Sequence, residues 1–104
     1  MYKGKENIIT AEHLKNGEEC IVVGFCQYMT PILKSGQPVR VVHIDDLINL
    51  NKNDIVFVKI SGHYYLHKIS VIKNGISCQI SNNHKHINGW VSRNSIYGKA
   101  VKIL

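Results

Sequence analysis

His67 carries the type of side chain that general acid–base catalysis uses most, because an imidazole titrates near neutral pH. The alternation of polarity over residues 64–72 predicts a strand with Tyr65, His67 and Ile69 on one face and Lys68 on the other. A histidine among apolar neighbours is also commonly a hydrogen-bonded core residue. Two interpretations, a catalytic base and a structural core histidine, therefore remain open.

A second group of chemically capable side chains lies in residues 81–90, which read Ser-Asn-Asn-His-Lys-His-Ile-Asn-Gly-Trp. Asn and Gly favour tight turns, and Trp offers a large apolar contact surface. The segment predicts either a polar and aromatic recognition loop or a turn whose Trp90 only caps the core. The candidate binding residues of the recognition loop are Asn82, Asn83, His84, Lys85, His86, Trp90 and Arg93.

The histidines also raise the question of a metal site, since His84 and His86 would share one face of an extended segment. Zinc is held by three or four His, Cys or carboxylate ligands. No acidic side chain follows Asp54, and Cys78 is the only thiol in that half. The chain has no Gly-rich phosphate loop either. We therefore expect no metal ion and no small-molecule cofactor.

Charge is divided unevenly along the 104 residues, which carry a formal net charge of +6. All seven acidic side chains lie in the first 54 residues, whereas seven Lys or Arg side chains and no acid follow them. A half without carboxylates projects positive potential, which predicts weak, sequence-independent nucleic-acid binding that involves Lys85 and Arg93. The alternative is that folding mixes these charges into an ordinary solvated surface.

The elements that position these side chains are predicted to be mostly strands. The chain has 15 Ile and 10 Val but only 6 Leu and 2 Ala, and side chains branched at Cβ favour strands over long helices. Turn signals at Ser61-Gly62, Lys73-Asn74-Gly75 and Asn88-Gly89 separate short apolar runs. The predicted strands cover residues 19–25, 38–44, 54–61, 64–72, 76–81 and 96–103, and a short helix covers residues 10–16.

These elements predict one domain over residues 1–104, with a helix-and-turn segment at 1–18 and a mainly β, small, partly closed antiparallel fold at 19–104. Thr10 is the expected N-cap of the helix, and Gly17 the expected left-handed residue at its end. No apolar run approaches the ~18–20 residues that span a bilayer, and no signal peptide is evident. Three cysteines without disulfide spacing indicate reduced thiols. We expect a cytoplasmic protein without a membrane partner.

Several segments, in order, resemble the signal peptidase and LexA-like serine peptidase superfamily. Cys26-Gln-Tyr-Met-Thr-Pro-Ile-Leu-Lys-Ser-Gly36 is similar to its nucleophile motif, Gly-x-Ser-Met-x-Pro-x-Leu-x-x-Gly. Asn53-Asp-Ile-Val-Phe-Val58 and Ile96-Tyr-Gly-Lys-Ala-Val101 are similar to its Gly-Asp-Ile-Val strand and its closing strand. Tyr65-Leu-His-Lys-Ile69 is similar to the segment that carries the general base. The resemblance implies a LexA- and signal-peptidase-like β-fold with His67 at the position of the base.

The catalytic set that the resemblance implies is incomplete. Tyr28 stands where the nucleophilic Ser is expected, and its ring would fill the cleft where a peptide carbonyl lies. Asn82 and Asn83 stand where an acid is expected, and a carboxamide does not stabilise an imidazolium as a carboxylate does. We expect Tyr28 to approach His67 at a degenerate site without catalysis. The residues of that degenerate site are Tyr28, Met29, Pro31 and His67.

The resemblance also extends to small phage-encoded proteins that share the segment at residues 81–90, which implies a phage origin and a bacterial host cell. The expected function is that of a non-catalytic pseudo-peptidase, a binding or regulatory protein that acts on a host or phage protein. One alternative is a nucleic-acid-binding accessory protein that uses the basic C-terminal half. Another alternative is a residual serine-type peptidase.

Overall fold

The computed structural model describes residues 2–5, 8–23, 33–34, 36–44 and 50–104, the first of these ranges as backbone alone. Helix α1 spans Ile8–Lys15, and a short 3-10 helix spans Arg93–Ser95. The strands are β1 (Tyr2–Lys5), β2 (Cys20–Val23), β3 (Pro38–His43), β4 (Ile55–Ile60), β5 (His63–Lys73), β6 (Ser77–Ser81), β7 (Ile87–Ser92) and β8 (Ile96–Ile103).

Within the described residues these strands form one sheet in the order β1-β2-β3-β8-β4-β5-β6-β7. β1 and β2 pair in parallel, and every other pair of neighbours is antiparallel. The sheet curls into a half-barrel. The predicted mainly β, partly closed antiparallel fold with one short helix is confirmed.

The sheet is buried on both faces at its centre. Phe57 of β4 packs on the side of α1 in a cluster with Leu14, whereas Val56 and Val58 pack on the opposite side in a cluster with Ile80. β4 lies between β8 and β5, as expected for a strand that is apolar on both faces. The two clusters therefore share one central strand.

Helix α1 begins earlier than its sequence predicts. Thr10 is fully buried inside the helix rather than at its N-cap, so that prediction is wrong. Burial explains the difference, because Thr10, Ala11 and Leu14 form the face that packs on the sheet. Gly17 has a φ of +92°, and the N–H groups of Gly17 and Glu18 donate to the carbonyls of Leu14 and His13. The predicted glycine stop is confirmed, as a Schellman-type turn.

Two strands were not expected from the sequence. β1 lies in the segment predicted to hold only a helix and turn. β7 contains Asn88-Gly89, for which a turn was predicted wrongly: Gly89 has a φ of +144°, and the pairing of β6 with β7 shifts register there. The same backbone preference that favours a turn is used here for a β-bulge inside a strand. The ends of the six predicted strands lie within one residue of their predictions, apart from the C-terminal end of β2, where the described residues stop at Val23.

The turns predicted at both ends of β5 are confirmed, with two residues between Ile60 and its partner His63 and three residues between Lys73 and its partner Ser77. Ser61 and Gly62, between β4 and β5, both have positive φ, as do Asn74 and Gly75 between β5 and β6. Such dipeptides match the right-handed twist of the strands that they join. The alternation over residues 64–72 predicts Val71 on the same face as His67. A bulge in β5 between Ile69 and Val71 instead leaves Val71 exposed, so the prediction is wrong at that residue.

Candidate functional site

The loop between β6 and β7 is organised by a buried asparagine. The side chain of Asn82 is 4% exposed, and its Oδ1 accepts the N–H groups of His84 at 2.7 Å and His86 at 3.1 Å. Its own N–H donates to the carbonyl of His86 at 3.0 Å. Lys85 has a φ of +66°, which closes the loop. The loop at residues 82–86 is thus held by its first residue and presents His84, Lys85 and His86 to solvent.

His67 lies below this loop in the middle of β5, where it is 2% exposed. Its Nδ1 is 2.8 Å from Oδ1 of Asn88 in β7. Because that oxygen only accepts, Nδ1 carries the proton. The ring of Tyr65 lies beside it, with centroids 4.8 Å apart and an angle of 32° between the planes. β5 and β7 together therefore fix the position and the tautomer of the imidazole.

The charge state of His67 follows from its surroundings. Burial lowers the pKa of His67 below its usual 6.5, the bond to Asn88 raises it, and nearby His86 lowers it further. Val56 of β4 pairs directly with His67. Nδ1 of the ring bonds to the neutral carboxamide of Asn88 and not to a carboxylate. Burial, the largest of these effects, thus favours the neutral form of the His67 imidazole.

A cavity of about 540 Å³ opens between the β6–β7 loop and β5. It is lined by Tyr65, Asn82, His84, His86 and Asn88. Sequence reasoning did not single out Tyr65 or Asn88 as site residues. The alternation of residues 64–72 had already placed Tyr65 on the face of His67, so this part of the lining could have been found. Asn88 was assigned to a turn, which concealed its side chain.

Trp90 stands on the other face of the same hairpin. Val71, Gln79 and Trp90 are direct cross-strand neighbours on β5, β6 and β7. They point away from the cluster that contains Cys78 and Val91. Trp90 is 50% exposed, so it does not merely cap the core. We name this surface the Trp90 face; its members are Lys68, Val71, Lys73, Gln79, Ile87 and Trp90.

The remaining predicted binding residues are spread along the hairpin. Asn83 accepts a hydrogen bond from Lys68 Nζ at 3.3 Å, so it adjoins the Trp90 face. Arg93 begins the 3-10 helix at the far end of β7 and borders a separate depression with Lys15 and His43. The predicted recognition loop therefore holds Asn82, Asn83, His84, Lys85 and His86, while Trp90 and Arg93 lie along and beyond the adjoining strand.

The structure does not test the other predicted members of the degenerate site. Tyr28, Met29 and Pro31 lie outside the described residues, and so does the predicted approach of Tyr28 to His67. Among the described residues no three His, Cys, Asp or Glu side chains are grouped as a metal site requires. In the same part of the chain, no helix has the length and apolar character needed to cross a membrane.

Comparison of the whole sequence with protein-family models and with curated proteins found no match.

Proposed function

We propose that the chain is a non-catalytic binding protein that keeps a peptidase-like arrangement of strands without the peptidase chemistry. The observation that carries this proposal is the setting of His67, which is 2% exposed and bonded to a carboxamide. In the triad of a serine peptidase, Nδ1 of the base donates to a carboxylate that stabilises the protonated ring, whereas in this chain Nδ1 donates to the carboxamide of Asn88. Asn88 holds the tautomer but supplies no negative charge.

The lowered pKa of His67 supports the same conclusion. An imidazole that takes a proton from a nucleophile must hold it through the reaction. Burial penalises that protonated form, and the nearby His86 also lowers the pKa of His67. The site therefore favours the neutral form of a histidine that supports the β5–β7 packing.

The binding surface of the proposal is the Trp90 face. Three of its apolar side chains, Val71, Ile87 and Trp90, are 42%, 54% and 50% exposed. Neighbouring exposed apolar side chains with a polar rim are typical of sites that contact another molecule. Aromatic residues such as Trp are also enriched at the centres of protein interfaces.

A fluorophosphonate probe and an activated ester test the absence of catalysis. We expect no labelling or hydrolysis that differs between the native chain and His67→Gln. If the probe labels a Ser of the native chain and this labelling disappears in His67→Gln, the result would contradict the proposal and favour a residual peptidase.

Capture from a bacterial lysate tests binding, with the native chain compared with Trp90→Ala and with nuclease present or absent. We expect a protein that is retained after nuclease treatment and lost with Trp90→Ala. The matched control is Ile8→Ala, which removes an exposed apolar side chain from α1. Equal capture by native chain and Trp90→Ala would exclude the Trp90 face as the binding surface.

Nucleic-acid binding is the second candidate function, and the charge around the Trp90 face favours it. Lys68 and Lys73 lie on this face, and no acidic side chain occurs from residue 55 onward. Aromatic side chains stack on bases while Lys and Arg contact phosphates. The two functions differ in their dependence on salt and on nuclease treatment.

Fluorescence anisotropy with a labelled single-stranded oligonucleotide at several salt concentrations tests this second candidate. The slope of log K against log salt is expected to decrease by about one to two units when Lys85 and Arg93 are both replaced by Ala. Lys34→Ala with Lys52→Ala removes the same charge elsewhere and is the control. No binding at low salt would eliminate the candidate.

A further inference from the structure

β7 forms an open edge of the sheet in the described part of the chain, where it pairs with β6 alone. The N–H of Arg93 donates to the carbonyl of Ile76 at 2.9 Å. Along an antiparallel strand, residues whose N–H and C=O groups bond to the neighbouring strand alternate with residues whose groups point away from it. Since Arg93 bonds to Ile76, the backbone groups of Val91 and Gly89 also face β6. The N–H and C=O groups of Trp90 and Ser92 therefore point outward from the sheet.

The sequence of β7 lacks the features that usually protect such an edge. It reads Ile-Asn-Gly-Trp-Val-Ser, with no charged residue and no Pro, whereas β1 at the opposite edge contains Lys3 and Lys5. Charged residues and Pro discourage another strand from pairing with an exposed edge. An uncharged edge with two exposed apolar side chains, Ile87 and Trp90, is suited to receiving an additional strand.

Charge determines which strand would be received. Lys85 and Arg93 flank β7 in sequence, Lys68 and Lys73 lie on the adjoining Trp90 face, and residues 55–104 contain no acidic side chain. A second copy of this chain would bring the same positive charges together, at a formal net charge of +6 for each copy. An acidic segment is complementary to this edge.

We propose that the open edge of β7 binds one extended, acidic peptide segment of a partner protein by main-chain hydrogen bonds to Trp90 and Ser92. Apolar side chains at alternate positions of that segment pack on the Trp90 face, and its carboxylates interact with the flanking Lys and Arg side chains. This inference rests on the proposed binding function and names its partner class.

Ser92 offers a selective test of the main-chain contacts. Its φ is −78°, which Pro adopts without strain, and its side chain makes no capping hydrogen bond to the following 3-10 helix. Ser92→Pro removes an outward N–H and leaves the bonds to β6 in place. Ser92→Ala removes only the hydroxyl and is the matched control. Circular dichroism and thermal unfolding establish that both variants are folded.

The probe is a synthetic eight-residue peptide of alternating Val and Glu, and the signal is the fluorescence of Trp90, the only tryptophan of the chain. Three comparison ligands are the same peptide N-methylated at alternate residues, a Val and Lys version, and an oligothymidylate of similar charge. We expect the Val and Glu peptide to bind, and each N-methylated or Lys version to bind at least about tenfold more weakly.

Ser92→Pro is expected to weaken binding of the Val and Glu peptide about threefold to tenfold, with Ser92→Ala within twofold of the native chain. Equal binding of the N-methylated peptide, equal affinity of Ser92→Pro, or no peptide binding up to about 1 mM would overturn the inference. So would stronger binding of the oligothymidylate, or a dimer of this chain that Ser92→Pro dissociates. Lysate capture that is lost with Trp90→Ala but kept with Ser92→Pro would leave the proposed function standing while the edge contact fails.

Discussion

Removal of the titrating group at position 67 should change how the stability of the fold depends on pH. His67 has a folded-state pKa below 6.5 because it is buried, whereas in the unfolded chain it titrates near that value. Between those two pKa values the unfolded chain binds more protons, so the free energy of unfolding decreases as pH falls below about 6.5. One proton limits the slope from this group to about 1.4 kcal/mol per pH unit.

The comparison is between the native chain, His67→Gln and Asn88→Asp, by urea unfolding at several pH values from 5 to 8. His67→Gln keeps a donor for Asn88 Oδ1 but changes the buried side chain, so its free energy of unfolding at pH 8 should be about 1–2 kcal/mol lower than that of the native chain. Because glutamine cannot titrate, this free energy should decrease less on acidification than it does in the native chain. Asn88→Asp puts a carboxylate beside Nδ1, which raises the pKa of His67 and should flatten or reverse the slope. Identical pH dependence in the native chain and His67→Gln would refute the assignment of a buried neutral imidazole.

Three further predictions concern the framework of the site. Gly98→Ala should lower the free energy of unfolding by about 1–3 kcal/mol in urea unfolding, because the new Cβ would lie 2.5 Å from Val41 Cγ1 and 2.9 Å from the carbonyl of Val42. Asn82→Ala should lower the free energy of unfolding by about 1–3 kcal/mol and broaden the amide NMR signals of residues 83–86, since two N–H groups lose their acceptor. Sharp, unshifted signals would contradict this prediction. In a Cys26→Ser chain at pH 7.4, the buried thiols of Cys20 and Cys78 should react with a disulfide reagent only after unfolding. Burial raises the pKa of Cys20 to about 11 and that of Cys78 above its usual value, so little reactive thiolate is present in the folded chain. Rapid labelling of the folded chain would contradict this prediction.

The strands were predictable where a local pattern and the tertiary environment agree. β4 is apolar on both faces and lies inside the sheet, between β8 and β5. β8 matches its predicted bounds, and its apolar run begins directly after the polar residues Arg93–Ser95. Local signals misled at Asn88-Gly89, where a dipeptide typical of turns forms a bulge within a strand. Thr10 failed as a cap for a similar reason, since burial against the sheet outweighed its capping preference.

The candidate site was only partly predictable, for a different physical reason. The polar loop at residues 82–86 is local in sequence, and its turn-forming residues identify it. The bond between His67 and Asn88 joins residues 21 positions apart across two strands, and its geometry depends on a bulge that no local pattern specifies. The exposure of Trp90 likewise depends on which face of the sheet is covered, and that is a property of the whole fold.

The length of α1 explains why the Trp90 face is open. Eight residues of helix span about 12 Å at 1.5 Å per residue, whereas neighbouring strands lie about 4.8 Å apart, so the helix covers only part of an eight-stranded sheet. It packs on β1, β2, β3 and β8. On this face α1 still reaches the start of β5, where Tyr64 and Leu66 join the cluster of Ala11 and Leu14, whereas Val71 of β5 and Trp90 of β7 are exposed. Among the described residues the sheet ends there in β7, a strand without charged side chains. In the described part of the chain, a short helix at one end of the sheet thus leaves the lysines and Trp90 of the Trp90 face next to the edge of β7 at the other, and both features are ones on which the proposed binding of an acidic strand depends.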